Sequence, residues 1–543
     1  MSDLVGCQSI DGVDHPQQPL QLGRIVSVSG GRVVALLDSA KFSTTGLQVG
    51  TLVKIVRART MVLGIVEELT IPLTSQDGEE EEARLAEIQL IGEVVDRPGV
   101  EERSFRRGVS SVPCLDDLVL AADSNDTSAV YALPERQVVR IGTVHQDPTV
   151  SAYLSIDDLL GRHFAIVGAT GAGKSCALAL LLHGIIEKNP NAHVLLLDPH
   201  GEYGKAFGTQ AEQLTIDQLR LPYWILEFEE LVEIIFGDEK ESMPAEIAIL
   251  RQLVLKAKLS YLRHKSDCLT VTVDTPTPYT MTDLNFFLEQ ETGRLSNQNS
   301  LGPFIRLRTL LDTVRADRRY AFLFPNEFVP RDDFAAILGQ LFRVPTDGKP
   351  LCTLDLSKIS SDVLNVVVAV LTRLAFNLAV LIGQKTPLLL VCEEAHRYAP
   401  QDTGLGFEPA KRSLARIAKE GRKYGISLGL LSQRPSELAT SILSQCSTVV
   451  AFRMVNHADQ KVIQATLSDA SLALINSLPL LGNGEAIVVG EGVSVPMRLR
   501  LANLPPERRP RSNSAQFSRL WQQQDTDLDR LQKIVDQWRG ILA

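Results

Sequence analysis

Apolar and turn-forming residues alternate in short runs over the first part of the chain. Residues 24–28 and 32–37 are apolar runs that flank Ser29-Gly30-Gly31, a pattern typical of a β-hairpin. Similar β-branched runs follow at residues 52–56, 61–66, 88–95 and 138–144. Short strands at this spacing predict a small β-barrel over residues 1–150.

From about residue 155 the pattern changes to strands that alternate with helices, which is typical of an α/β fold. We predict strands at residues 163–167 and 192–197, with a helix at 175–187 between them. Residues 209–345 break the alternation and are interpreted as a mainly helical insertion. Alternation then resumes, with strands at 351–356, 388–391, 426–431 and 448–453, a helix at 413–424 and a hairpin at 485–501. The core is therefore predicted in two parts, residues 151–208 and 346–502.

One apolar segment, residues 363–382, is long enough to cross a membrane. It carries Asn365, Arg373 and Asn377, and a central arginine costs about 2.5–3.5 kcal/mol on membrane insertion. We therefore expect a buried helix of a large core and no membrane association.

The C-terminal segment, residues 503–543, begins with a proline-rich stretch that predicts an extended strap. Its last part, residues 525–538, predicts an amphipathic helix. The apolar face of that helix comprises Leu528, Leu531, Ile534, Val535 and Trp538. Both packing on its own chain and docking on a neighbour or partner are open.

Composition and charge limit how the chain could meet nucleic acid. Lysine and arginine number 55 against 65 acidic residues, a net charge of −10. Because non-specific DNA affinity comes from basic residues, an acidic chain is expected to grip DNA only at a local basic patch. The acidic run at residues 77–82 is interpreted as a solvated loop, or as a negative rim that repels DNA or docks a basic partner.

Cysteine usage and the first residues bear on the compartment. The seven cysteines include no Cys-x-x-Cys pair, which favours free thiols in a reducing environment. The first residues show neither a basic nor an apolar signal-peptide region. We expect a cytoplasmic protein.

The strongest motif is GATGAGKS, which matches the phosphate-binding P-loop in full. Its glycines let backbone N–H groups face phosphates, Lys174 would reach the β- and γ-phosphates, and Ser175 would bind Mg²⁺. ATP and Mg²⁺ are therefore the expected cofactors. The residues predicted to bind nucleotide are Gly168, Thr170, Gly171, Ala172, Gly173, Lys174, Ser175 and Cys176.

A second motif, LLLVCEE, is a buried strand that ends in Glu393 and Glu394. Since adjacent residues of a strand point to opposite faces, the two carboxylates are expected to have different roles. Glu393 would help hold Mg²⁺ through a bound water, and Glu394 would be the general base for the attacking water. Aspartate is more usual than glutamate at the first position.

Two further clusters could complete the site. DPHGEY follows the second core strand, where Asp198 and Glu202 could act as outer acids near Mg²⁺, although a plain turn would also explain the motif. Gln433, at the end of a later strand, could sense the γ-phosphate or position water. A basic helix carries Arg422 and Arg416, and either a solvated basic face or an arginine finger for a neighbouring subunit's nucleotide would explain it, with Arg422 the preferred finger.

Taken together, GATGAGKS, DPHGEY, LLLVCEEAH and EGRKYGISLGLLSQRP resemble the HerA branch of the HerA–FtsK ring ATPases, over roughly residues 20–510. The resemblance implies a RecA-like core, an N-terminal barrel of the HAS type, a helical insertion and a C-terminal strap. It also implies a homohexamer that encircles double-stranded DNA and translocates with ATP, with Arg422 acting in trans.

The resemblance further implies an effector protein on the barrel face: a NurA-like nuclease, a sirtuin-like NADase or another nuclease, in DNA end processing or antiphage defence. Two other functions stay open. The ring could be a nucleotide-switched scaffold for its effector, or a secretion or conjugation coupling ATPase, although members of that last class usually carry membrane helices.

Overall fold

The structure is a computed structural model of the chain. Bounds and contacts below refer to the parts of the chain that the structure describes, which are residues 20–38, 47–57, 61–72, 83–95, 104–132, 136–216, 218–219, 221–262, 270–293, 301–324, 332–402, 408–466, 472–511, 517–522 and 528–539. The acidic run at 77–82 lies outside them.

The N-terminal unit is a closed β-barrel, as the alternating pattern predicts. Its strands are β1 (Gln21–Ser29), β2 (Arg32–Leu37), β3 (Leu52–Val56), β4 (Met61–Thr70), β5 (Arg84–Val95), β6 (Ser104–Arg107) and β7 (Leu118–Ala121). They pair in the order β2-β1-β7-β3-β4-β5-β6, and a further β2–β5 pairing closes the ring. Inward residues such as Ile25, Ile55 and Val119 are fully buried in its core.

The larger sheet carries the α/β core. Its strands are β8 (Val138–Val144), β9 (Ser151–Ser155), β10 (Phe164–Val167), β11 (His193–Asp198), β12 (Ala211–Thr215), β13 (Leu351–Asp355), β14 (Leu388–Cys392), β15 (Ile426–Ser432), β16 (Thr448–Phe452), β17 (Glu485–Gly490) and β18 (Met497–Leu501). The spatial order is β12-β13-β11-β14-β15-β10-β16-β17-β18-β8-β9. Pairs from β12 to β16 are parallel and the remainder are antiparallel.

The helices flank this sheet or form the insertion. They are α1 (Ser124–Tyr131), α2 (Ile156–Leu160), α3 (Lys174–Lys188), α4 (Phe228–Phe236), α5 (Pro244–Leu262), α6 (Met281–Gly293), α7 (Gly302–Ala316), α8 (Phe334–Phe342), α9 (Ser361–Ile382), α10 (Glu408–Tyr424), α11 (Thr440–Leu443), α12 (His457–Thr466), α13 (Leu472–Asn476), α14 (Phe517–Leu520) and α15 (Leu528–Trp538).

Two strand assignments differ from the sequence prediction. The run at 138–144 forms a strand but belongs to the large sheet, because Leu499–Leu501 of β18 pairs with it. The barrel strands thus end at Ala121, well before residue 150. Similarly, β12 lies inside the predicted insertion yet pairs in parallel with β13 as a sheet edge, so the helical insertion begins after Thr215. Local periodicity identifies a strand but not the strand with which it pairs.

Helix α9 contains the apolar segment that could have been a membrane span. In the described part of the chain it is the one helix that is long and apolar enough to cross a membrane, and two thirds of its most apolar stretch is buried within the protein. Its central Arg373 donates to both carboxylate oxygens of the buried Glu230, each at 2.8 Å, on helix α4. The charge in the middle of α9 is therefore neutralised by the insertion.

The barrel and the large sheet are joined by a compact set of polar contacts. Arg107 of β6 donates to the carbonyl oxygens of Ser494 at 2.7 Å and Gly490 at 3.0 Å, in the turn between β17 and β18. Lys54 of β3, which is buried, pairs with Asp126 and Asp123 at the start of α1. Since α1 precedes β8, it ties the barrel to the edge strands of the sheet.

The C-terminal segment crosses the outside of the large domain. The backbone N–H of Arg511 donates to the carbonyl of Glu202 at 2.9 Å, and Arg508 pairs with Glu187 at 2.6 Å. The amphipathic helix predicted at 525–538 is confirmed as α15, and its Leu531 and Trp538 are exposed.

Candidate nucleotide-binding site

The P-loop lies between a buried strand and the start of a helix, as its motif predicts. All four residues of β10 are buried, and the loop of residues 168–173 leads directly into α3. A Cβ atom on Gly168 would lie 2.5 Å from Cβ of Phe452 in β16, and the φ of Gly168 is +147°. Only glycine fits there, so the neighbouring strand dictates the first glycine of the motif.

Lys174 lies across this loop. Its Nζ donates to the carbonyl of Ala169 at 3.0 Å, and the side chain is almost fully buried. Burial lowers the pKa of Lys174, while the nearby carboxylates of Glu394 and Glu393 act in the opposite direction. A buried ammonium whose one loop contact is a backbone carbonyl is suited to binding an incoming phosphate.

The two glutamates lie just past strand β14, in a turn. Strand β14 ends at Cys392, and Glu394 has φ +51° and ψ +45°, the left-handed conformation. The turn, and not strand alternation, gives each carboxylate its own surroundings, and their separate roles remain a prediction. Both side chains are buried, with 5% of Glu393 and 4% of Glu394 exposed.

Glu393 lies near Lys174 of the P-loop and faces the DPHGEY turn. The hydroxyl of Tyr203 donates to its Oε1 at 3.1 Å. Burial, with Asp198 and Glu202 close by, raises the pKa of Glu393 to about 9. Its Oε2 is buried and has no hydrogen-bond partner among the described residues. A carboxylate in this environment calls for a cation or a cation-bound water.

These residues fit Mg²⁺ held mainly by the nucleotide. Among the described residues, no group of three or more acidic, histidine or cysteine side chains could by itself hold a metal. Mg²⁺ typically takes one or two protein ligands and completes its shell with water and phosphate. Ser175 and the free Oε2 of Glu393 match that arrangement.

Polar side chains surround Glu394, but only one of its oxygens is hydrogen-bonded. The amide nitrogen of Gln433 donates to Oε1, and His200 Nε2 lies 3.7 Å from the same oxygen. Oε2 has no hydrogen-bond partner among the described residues, although His396 Nδ1 lies 3.3 Å from it. Burial acts to raise the pKa of Glu394, but His200, His396, Lys174 and Gln433 together hold it below its ordinary value. Glu394 is therefore ionised at neutral pH, as a general base must be.

The amide of Gln433 also reaches the P-loop, because its Oε1 accepts from the Thr170 hydroxyl. One side chain thus connects the phosphate-binding loop to the Glu394 carboxylate. The structure brings together Lys174, Ser175, Glu393, Glu394 and Gln433, which come from three different strand ends.

Asp198 holds the DPHGEY turn in place through hydrogen bonds to its backbone. Its carboxylate accepts from the backbone N–H of His200 at 3.2 Å and of Tyr203 at 2.9 Å. Burial raises the pKa of Asp198 despite these bonds. Since both carboxylate oxygens hold the turn, Asp198 shapes the loop that presents His200 and Tyr203, and its role at a metal remains a prediction.

The arginines of the basic helix α10 lie in different surroundings. Arg416 lies over the ring of Phe376, 4.2 Å from the centroid, and Arg412 pairs with Glu229 at 2.8 Å. Arg422 is exposed and lines a surface cavity with His193 and Leu388, which begin strands β11 and β14. Arg422 therefore lies at the edge of the sheet opposite its own P-loop.

Sequence reasoning did not give roles to Tyr203, His200 and His396, although all three lie within the motifs it identified. Their contacts join segments that are far apart in the chain: Tyr203 meets Glu393 across 190 positions. The available signal was the position of DPHGEY and EEAH at neighbouring strand ends, which places their polar residues in one crevice.

Comparison with known proteins gives concordant results. The family described as "Helicase HerA, central domain" matches residues 139–375, from strand β8 into helix α9. The DNA double-strand break repair helicase HerA of Pyrococcus furiosus is 28% identical over 475 residues, 81% of each chain. The probable DNA double-strand break repair helicase HerA of Methanocaldococcus jannaschii is 24% identical over 489 residues, 81% of this chain and 88% of that one. Among solved structures, VirB4 of Thermoanaerobacter pseudethanolicus overlaps 68% of this chain and 98% of its own, with 15% identity and a TM-score of 0.48.

Proposed function

The chain is a HerA-type ATPase, and we propose that it is a motor which uses ATP and Mg²⁺ to move along double-stranded DNA as a homohexameric ring. The observation that carries the proposal is the pairing of two buried carboxylates with opposite environments beside one P-loop. Burial and the neighbouring acids raise the pKa of Glu393, whereas His200, His396, Lys174 and Gln433 hold the pKa of Glu394 below its ordinary value. This is the division between metal holding and water activation that hydrolysis requires.

Each side chain then has a defined part in hydrolysis. Lys174 and the loop N–H groups bind the phosphates, and Ser175 and Glu393 would hold Mg²⁺, which when bound neutralises charge on the β- and γ-phosphates. Glu394 accepts a proton from the attacking water. Gln433, bonded to Thr170 and Glu394, orients that water or senses the γ-phosphate.

The position of Arg422 supports a ring. Strand β15 has seven residues, so about 20 Å separates Arg422, before its start, from Gln433, after its end. An arginine side chain cannot bridge that length within one subunit. As a finger it would therefore act on the nucleotide of a neighbouring copy, which makes the active form an assembly.

The DNA substrate is inferred from the relatives, which are named as DNA double-strand break repair helicases. The net charge of −10 is compatible with this if the basic residues line the ring interior, where an enclosed channel concentrates their field on the duplex. We infer a cytoplasmic motor.

An effector enzyme, such as a NurA-like nuclease or a sirtuin-like NADase, would dock on the barrel. The barrel exposes Val56, Val112, Leu115 and Leu118, with exposed fractions from 45% to 62%. Val56 and Leu118 flank the buried pair Ile55 and Val119 on adjacent strands, so both lie on the outer surface. This apolar surface also supports the second candidate function, a ring that scaffolds its effector and uses nucleotide as a switch.

The decisive experiment measures ATP hydrolysis by the purified chain with and without duplex DNA, alongside its native mass. We expect a mass of six copies and a rate that rises with duplex DNA. A monomer whose rate is indifferent to DNA would overturn the motor proposal. A hexamer indifferent to DNA would favour the scaffold.

A further inference from the structure

We propose that Tyr203 is a positioning residue for the metal site: its hydroxyl forms a directed hydrogen-bond chain from Ser175 to Glu393 that fixes both groups for Mg²⁺. The inference rests on the proposed Mg²⁺–ATP site and adds to it a residue that touches neither nucleotide nor metal.

The backbone brings Tyr203 to this place by a tight turn. Asp198 at the end of β11 accepts from the N–H of Tyr203, which folds the DPHGEY segment back on the strand end. Gly201 within the turn has φ +66°, and a Cβ there would lie 3.1 Å from the Asp355 carboxylate. The phenol ring is completely buried, so its hydroxyl can bond only to protein groups or to a trapped molecule.

Two predicted metal-site groups meet at that hydroxyl. Tyr203 Oη donates to Glu393 Oε1 at 3.1 Å. The side chain of Ser175 lies beside the same hydroxyl and acts to lower the pKa of Tyr203, as a donor to the phenol oxygen would. Tyr203 thus lies between the P-loop serine and the carboxylate that follows β14.

The single proton of the Tyr203 phenol sets the direction of the hydrogen-bond chain. Once a bound cation keeps Glu393 ionised, this carboxylate can only accept, so Tyr203 uses its one proton toward Glu393 and its oxygen is left to accept from Ser175. A serine that offers a lone pair to Mg²⁺ needs an acceptor for its own proton, and Tyr203 supplies it. The same bond occupies Oε1 of Glu393 and leaves Oε2, which has no partner among the described residues, for a water on the cation.

The protein offers a matched control residue, Tyr398. This tyrosine is also completely buried and lies near Glu393 and Glu394, but its hydroxyl has no hydrogen-bond partner among the described residues. Tyr203→Phe and Tyr398→Phe each remove one buried hydroxyl beside the same acids. Only the first breaks the proposed chain.

The experiment measures binding of a fluorescent ATP analogue to the full-length chain, first in EDTA and then across a Mg²⁺ titration. We expect wild type and Tyr398→Phe to bind more tightly as Mg²⁺ is added. Tyr203→Phe should bind equally well in EDTA but lose about 10-fold or more of the Mg²⁺ effect, as is usual when a residue that orients a ligand is removed. Thermal melting checks that both variants fold.

The outcomes separate this inference from the proposed function. A Mg²⁺ effect in Tyr203→Phe equal to that of Tyr398→Phe would overturn the positioning role. So would an equal loss of binding in EDTA, because Tyr203 would then support the loop and not the metal. If wild type itself gained nothing from Mg²⁺, the metal part of the proposed function would fail as well.

Discussion

The amide nitrogen of Gln433 donates to Oε1 of Glu394, and so joins the end of strand β15 to the turn after strand β14. The amide oxygen of the same side chain accepts from the Thr170 hydroxyl of the P-loop. A shift of the P-loop on nucleotide binding would therefore change the position of the carboxylate that activates water.

Replacing Gln433 with alanine should slow ATP hydrolysis by about 100-fold while leaving nucleotide affinity nearly unchanged, because the group that orients the base and its water is lost. Single-turnover rates and binding of an ATP analogue measure the two quantities. Gln445→Ala, at an exposed glutamine, is the control. A Gln433→Ala variant with normal turnover would exclude this side chain from the reaction.

Glu394→Gln should bind ATP and hydrolyse it about 10²–10⁴-fold more slowly, because the amide keeps the size of the side chain but cannot accept the proton. Rapid-quench measurement of bound, uncleaved ATP is the direct readout. If hydrolysis continued at the wild-type rate, another group would have to be the base.

Lys174→Ala should abolish tight nucleotide binding or turnover, with a loss of at least about 100-fold, since the principal buried cation of the site is removed. Lys188→Ala, at the other end of the same helix, should be neutral because that side chain is exposed. The effector's output in cells distinguishes the two proposed functions: a motor loses it in Lys174→Ala, whereas output that persists would favour the scaffold.

Arg422→Ala should retain ATP binding and lose about 10³-fold or more in the turnover of the assembled ring, the usual contribution of an arginine finger. Arg416→Ala should lower only stability, by about 0.5–1 kcal/mol, through its contact with the Phe376 ring.

Mixing subunits tests the trans arrangement directly. An Arg422→Ala subunit has an intact P-loop, and a Lys174→Ala subunit has an intact Arg422. Mixed rings of the two inactive variants should therefore recover part of the activity. No recovery, despite mixed assembly shown by native mass, would reject Arg422 as the finger.

Arg373→Leu should destabilise the fold by about 3–5 kcal/mol, because Glu230, with 3% of its side chain exposed, would be left buried without its partner. Denaturant unfolding followed by tryptophan fluorescence measures the change. The double variant Arg373→Leu with Glu230→Leu should recover much of the loss. If it did not, packing rather than charge would explain the effect.

The parts of the site that lie within short motifs could be predicted from the sequence. GATGAGKS specifies a strand, a glycine loop and a helix, and the structure has all three. Lys174, Ser175, Glu393, Glu394 and Gln433 do converge as expected. The physical reason is that parallel strands bring their carboxyl ends to one edge, so motifs at strand ends meet.

The parts that depend on distant pairing could not be predicted. Strand β8 has the alternation of a barrel strand, and only its hydrogen bonds to β18, more than 350 positions later, place it in the large sheet. The bond of Tyr203 to Glu393 likewise depends on the order of strands β11 and β14. A local sequence pattern does not identify the distant residue with which a strand or a side chain will pair.

The hydrogen bonds from Arg107 to the turn between β17 and β18 bear on how movement of the ATPase core could reach a protein bound to the barrel. Strand β17 pairs with β16, and β16 pairs with β10, the strand that leads into the P-loop. One strand, β16, therefore lies between β10 and the strand whose end Arg107 holds. Because the guanidinium binds backbone carbonyls rather than a mobile side chain, the joint is stiff. A protein bound to the barrel would therefore move with the ATPase core as one rigid body, and not through a flexible linker.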